Sequence, residues 1–145
     1  MTNSIKAPTS FWMISVVALL WNLMGCYQWF VEYGFYTNHE SRITLEEAVR
    51  PMYDSQPIWL YVVFAIAVLA GLIGSIGLLL RKSWSDPVFL ISLISVIILH
   101  GYTIIATDHI QQLGTDALVM PILVILLAAF LLYYAKKNKA LGILT

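Results

Sequence analysis

FAIAVLAGLIGSIGLLL, residues 64–80, holds no charged residue and belongs to an apolar run that begins at Pro57. A run of this length meets the ~20 residues that a helix needs to cross a bilayer. It does not alternate as the strands of a membrane barrel would. It also carries small residues at helical spacing: Ala67, Gly71 and Ser75, with Ala70 and Gly74 one face over. Small residues four apart let two helix backbones approach closely, so Ala67, Gly71, Gly74 and Ser75 read as helix-packing positions. Whether the partner helix belongs to this chain or to another is open at this point.

Three further runs have the same character. The spans are expected at 10–33, 57–80, 87–106 and 117–135, forming one all-α domain of four transmembrane helices over 1–145. The composition agrees, with 60% hydrophobic and only 11% charged residues, against about 25% charged in an ordinary soluble domain. The first run is too long, and too rich in Trp and Tyr, for a cleaved signal segment. Asp86 before Pro87 reads as the cap of the third span, and Thr115 or Asp116 as the cap of the fourth.

Lys and Arg in the short connections set the orientation. Lys6, Arg81, Lys82, Lys136, Lys137 and Lys139 lie on one side, and Arg42 and Arg50 on the other. Both termini are therefore expected in the cytoplasm. The connection 34–56 falls outside and is too long for a plain turn. Thr44 and Glu47 have capping-box spacing, and Leu45, Val49 and Met52 share a face. A short amphipathic helix over 45–50, ended or kinked by Pro51, is expected on the outer surface.

Chemistry concentrates in the first span. Trp21, Gly25, Gln28 and Glu32 form one helical stripe, and Asn22, Cys26, Trp29 and Tyr33 the next. An amide in hydrocarbon needs a partner, so this side should face protein. On the third span His100 lies at about the depth of Gln28, with Tyr102 and Thr103 beside it. His100 reads either as interhelical glue or as a contact for substrate or protons. Trp21, Asn22, Gln28, His100 and Tyr102 are thus the candidate substrate-binding residues.

Several classes are disfavoured. Zero net charge gives no basic field for nucleic acid. The single Cys26 cannot serve a dithiol oxidoreductase. His39, Glu40, Asp108 and His109 have no metal-motif spacing, and one histidine within the spans does not support a bis-histidine haem. No nucleophile elbow, phosphate loop or metalloprotease motif is present. Neither an enzyme nor a cofactor is expected. The two halves share no convincing repeat.

ALLWNLMG in the first span, FAIAVLAGLIGSIGLLLRKSW through the second, PVFLISL and VMPILVILLA resemble a group of small bacterial four-helix membrane proteins commonly labelled sugar transporters. The resemblance implies a multi-pass protein of the Gram-negative inner membrane, and it implies transport by that label. Three readings follow. The chain transports a small polar solute such as a sugar, as a homo-oligomer or with another membrane subunit. Alternatively it is an accessory subunit that packs against other helices, or it binds lipid or quinone.

The orientation is checked by thiol labelling of intact cells with Cys26 replaced. Asn38→Cys should react with an impermeant reagent and Ser83→Cys should not; the opposite pattern would invert the topology.

Overall fold

The chain is all-helical across its spans because nothing in the apolar runs interrupts the backbone ladder. In lipid every backbone group needs an internal partner, which a helix supplies within its own segment. The structure, a computed structural model, describes residues 5–47 and 49–145, apart from the side chains of His109 and Gln112. Among the described residues four helices are long and apolar enough to cross a membrane. They are α1 (Thr9–Thr37), α4 (Ile58–Leu79), α5 (Ser85–Ala106) and α7 (Val119–Ala140). Between them lie the short helices α2 (His39–Ile43), α3 (Arg50–Ser55) and α6 (His109–Leu113), and a 3-10 turn, Thr115–Leu118. Large apolar side chains such as Val17, Leu20, Ile66, Ile98 and Leu126 are exposed around the bundle, as a lipid-facing surface requires.

α4 is the central element. It packs on α1 and on α5, and α5 packs on α7. Its small residues face these neighbours within the same chain. Ala67, Ala70, Gly71, Gly74, Ser75 and Gly77 are all buried. A Cβ on Gly74 would come within 2.9 Å of the Phe89 ring, and one on Gly77 within 2.8 Å of Trp84. At Gly71 it would collide with the Asn22 side chain. Lipid tails are as apolar as Leu, so burying Phe89 here gains van der Waals contact rather than release of water. Serines serve the same close approach. Ser92 Oγ donates to Ala67 O across the α4–α5 interface at 2.7 Å. Ser75 Oγ donates to Gly71 O at 2.8 Å and accepts from Asn22 Nδ2 of α1 at 3.1 Å.

The ends that carry the termini are tied together. α4 ends in a Schellman turn, with Lys82 N donating to Gly77 O at 2.8 Å and Arg81 N to Leu78 O at 2.9 Å. α7 ends the same way, Ile143 N to Asn138 O at 2.9 Å. Gly142 takes the left-handed position in α7, at φ 75°, but Arg81 takes it in α4, at φ 56°. A non-glycine there costs roughly 1–2 kcal/mol. The Arg81 guanidinium offsets this by donating to Ile143 O at 3.0 Å and to Ile5 O at 2.7 Å. Thr145 N also donates to Arg81 O at 2.9 Å, and Ser83 N to Thr145 O at 3.0 Å. One side chain thus joins the N-terminal stretch, the α4–α5 link and the C-terminal tail.

The connections differ from expectation. Residues 45–47 are not helical, and Ala48 lies outside the described residues. The expected helix over 45–50 is replaced by α2 before it and α3 after it. Pro51 starts a helix instead of ending one, because a fixed φ and a missing N–H suit the first turn. Thr44 Oγ1 donates back to Ser41 O at 2.7 Å and caps nothing downstream. Asn38 caps α2 instead, accepting from Glu40 N at 3.0 Å. Asp86 sits inside the first turn of α5 and pairs with Lys139 at 3.3 Å, while Trp84 holds the cap position. Neither Thr115 nor Asp116 caps α7, which follows directly on the 3-10 turn, with Leu118 at its cap. α1 and α7 outrun their expected ends at Tyr33 and Ala135, reaching Thr37 and Ala140.

The Gly71–Asn22 contact sets a quantitative expectation. Gly71→Ala gains about 1 kcal/mol of helix propensity but should lose about 1–3 kcal/mol to overpacking. Combined with Asn22→Ala, which makes room, the two changes should couple by at least about 1 kcal/mol in a double-mutant cycle of unfolding in bilayers. Additive effects would mean that the two residues do not meet.

Candidate functional site

A cavity of about 580 Å³ lies between α1 and α7, backed by α4 and α5. Its shape follows from how α1 and α7 meet. At the end carrying the termini, Phe11 stacks on Tyr134 with ring centroids 6.2 Å apart. Below the cavity Ala18, Phe89, Leu131 and Ala135 belong to one buried cluster that includes Ile143 and Leu144 of the tail. Further from the termini, α1 and α7 face each other across the cavity.

The lining is graded along the helix axes. Nearest the connecting loops, Gln28, Glu32, Gln56, Tyr61, His100 and Thr103 form a polar collar. The middle is apolar, built from Met24, Phe64, Val68, Val96 and Val124. At the deep end stand Trp21, Asn22, Gly71, Phe89, Ser92 and Leu131. Two of the deep polar groups, the Asn22 amide nitrogen and the Ser92 hydroxyl, are engaged by the protein itself. Asn22 Nδ2 donates to Ala18 O at 2.9 Å and to Ser75 Oγ, and Ser92 donates to Ala67 O.

The collar is held by hydrogen bonds between α1, α3 and α4. Glu32 Oε1 accepts from Gln28 Nε2 at 3.0 Å, and Glu32 Oε2 accepts from the Tyr53 hydroxyl at 2.8 Å. Tyr61 donates to Gln56 Oε1 at 2.8 Å. Trp29 Nε1 donates to the Tyr61 carbonyl at 2.8 Å, fixing α1 on α4 beside the collar. Tyr33 stacks on Trp29 with centroids 5.1 Å apart, and Tyr36 packs tilted against Tyr61 at 4.4 Å. Burial raises the Tyr53 phenol above its usual range, and the Glu32 charge and the bond to it add to the rise. Tyr53 therefore stays protonated and donating. Its contribution is complete below the ordinary phenol value of about 10 and is lost as pH rises through the raised folded value.

Four of the five candidate binding residues share this cavity: Trp21, Asn22, Gln28 and His100. Gln28 and His100 both belong to the collar, whereas Asn22 and Trp21 lie deeper. Tyr102 is apart from them. It packs edge-on against Trp59 at 4.9 Å and lines a smaller pocket with Pro51, Gln56 and Asp108. Its place on α5, two residues beyond His100, turns it to a different side of that helix. Tyr53, Gln56 and Tyr61 were not among the candidates. The signal in the sequence is Tyr61, a hydroxyl-bearing ring inside a span, a residue type that interfacial aromatic belts also use.

Among the described residues no group of three or more His, Cys, Asp or Glu comes together to hold a metal ion. The side chain of His109, one of the outer residues considered for metal, lies outside the described residues. Compared with known proteins, the chain matches no family model, no curated protein and no solved structure.

Tyr53→Phe removes a hydrogen bond to a carboxylate, a change of about 1.5–3 kcal/mol. Amides in α3 should then exchange about tenfold faster or more, with the cores of the four spans unchanged. Unaltered exchange in α3 would show that the Tyr53–Glu32 bond does not hold it.

Proposed function

We propose that this multi-pass membrane protein takes a small organic solute into the cleft between α1 and α7, as one step in moving that solute across the bilayer. The observation that carries the reading is the cavity itself. Four helices of one chain leave about 580 Å³ between them, within the roughly 300–1,000 Å³ typical of ligand sites. A single copy therefore has the room that transport demands. Its lining converges from four helices, so small shifts of α1 against α7 would change its volume.

On this reading the protein resides in the inner membrane of a Gram-negative bacterium, as the sequence resemblance implies. Both termini are cytoplasmic, and the polar collar faces outward. The arrangement is then that of a carrier open toward the outside and closed at the cytoplasmic end by Phe11, Tyr134 and the cluster beneath the cavity. No catalysed reaction and no cofactor is assigned to it. The small-residue face of α4 is covered by helices of the same chain. A homo-oligomer or a complex with another membrane subunit would use other surfaces, with the bilayer as the surrounding solvent.

The test fills the cleft. Ala128 lines the cavity on α7, and Ala128→Phe would occupy it without touching the collar. Wild-type protein extracted with its native lipids should retain a small molecule visible by native mass spectrometry. The variant should lose at least about tenfold of it, since a ring in the cavity removes most of the contact area, while thermal stability holds or rises. Equal retention by both proteins would place the bound molecule elsewhere and sink the reading.

A further inference from the structure

We infer that the cleft takes an uncharged, single-tailed amphiphile, its oxygen-bearing head in the collar and its tail directed toward Trp21 and Leu131. This rests on the cleft being a ligand site and specifies the ligand that the site would accept.

Three observations on the lining lead there. The hydrogen-bonding groups are segregated at one end, with Gln28, Glu32, Gln56, Tyr61, His100 and Thr103 in the collar. The middle, from Met24 and Phe64 to Val124, offers no polar side chain among the described residues. At the deep end, the Asn22 amide nitrogen donates to Ala18 and Ser75, and the Ser92 hydroxyl to Ala67. In the collar Glu32 and Tyr61 are bonded as well, but the Gln28 and Gln56 amides use one atom each, Nε2 and Oε1, and keep the other for a ligand. A sugar carries hydroxyls all round its ring. Sunk into the apolar middle it would leave several of them without partners, each at a desolvation cost. An apolar tail meets no such penalty, and an oxygen-bearing head left in the collar keeps its hydrogen bonds.

Charge selects among amphiphiles. Glu32 lines the collar, and no Lys or Arg does so among the described residues; Arg42, whose charge reaches Tyr61, is paired with Asp54 outside the cavity. A fatty-acid carboxylate would sit near a like charge in a partly desolvated setting, where repulsion is weakly screened. A hydroxyl or carbonyl head avoids that repulsion and can bond the amides of Gln28 and Gln56. Size fits as well. At the ~30 Å³ that water occupies, the cavity holds on the order of twenty non-hydrogen atoms, enough for a compact head and a medium-length chain.

The test places the protein in lipid nanodiscs and uses a bromine at the tail end as a contact quencher of Trp21. The probes are 11-bromoundecanol and 11-bromoundecanoate, with glucose as an untailed competitor. The signal is the difference between wild type and Trp21→Phe, which removes quenching of the other tryptophans by probe dissolved in the bilayer. Saturable Trp21-dependent quenching by the alcohol is expected. It should be about tenfold weaker for the carboxylate, the effect of one near charge at intermediate dielectric. It should be abolished by Ala128→Phe and unaffected by glucose. Decanol and a decyl-tailed benzoquinone, added as competitors and followed by their retention on the nanodiscs, distinguish hydroxyl from carbonyl heads; binding of either supports the class. Equal or tighter binding of the carboxylate would overturn the inference. So would saturable, Ala128→Phe-sensitive binding of glucose without a tail, which would leave the cleft standing as a site. If no probe of any class shows binding sensitive to Ala128→Phe, the inference and the cleft reading fall together.

Discussion

Contact between the small face of α4 and its two neighbours is the constraint from which the rest of the bundle follows. In hydrocarbon, burying apolar surface gives no advantage over leaving it in lipid, so helices associate only where they fit closely or share hydrogen bonds. α4 provides both. Gly71, Gly74 and Gly77 leave space for Asn22, Phe89 and Trp84, and Ser75 and the Ala67 carbonyl accept from α1 and α5. With α1 and α5 both seated on α4, and α7 on α5, α1 and α7 are left facing each other across a gap. The cavity is a consequence of α4 occupying the centre.

The two ends of the bundle are secured differently. At the terminal end the Arg81 side chain gathers three chain segments, and it does so from a backbone conformation that glycine would adopt more easily. α7 places glycine at the equivalent position, where no side chain is needed. The use of Arg in α4 is understandable only through what its guanidinium binds. At the other end Trp29 bonds the Tyr61 carbonyl, and the connection is tied by side-chain pairs, Tyr53 to Glu32 and Tyr61 to Gln56. These pairs join the short α3 and the residue after it to the long spans α1 and α4. A closed, backbone-tied end opposite a collar held by a few polar pairs suits a site that admits ligand from one side.

Much of this was legible in the sequence, for physical reasons. Span length and apolar composition identify helices in lipid because the bilayer leaves few alternatives. The small-residue spacing of α4 marked a close-packing face, since period and size are local properties. The two adjacent stripes of α1 that carry Gln28 and Asn22 marked the side that lines the cavity. The connections were less legible. Thr44 and Glu47 had capping-box spacing, but Asn38 caps α2 and Pro51 sits in the first turn of α3, which is held against α1 by the Tyr53–Glu32 bond, a contact between residues far apart in the chain. Asp86 was drawn from a capping role by Lys139, fifty-three residues away in the chain. Tyr53 and Gln56 reach the site only through the fold of the connection, which no periodicity records.

The central claim is that α1 and α7 meet at the terminal end and stand apart at the other. Paired spin labels in lipid nanodiscs, with Cys26 replaced, measure this directly by electron–electron distance spectroscopy. One pair, at Met13 and Tyr133, uses exposed positions beside the Phe11–Tyr134 stack. The other, at Phe30 and Val119, uses exposed positions beside the collar. The account predicts a clearly longer mean distance for the second pair than for the first. Equal distances, or a shorter one at the collar, would mean that the two helices run packed along their length, and the cleft would not exist.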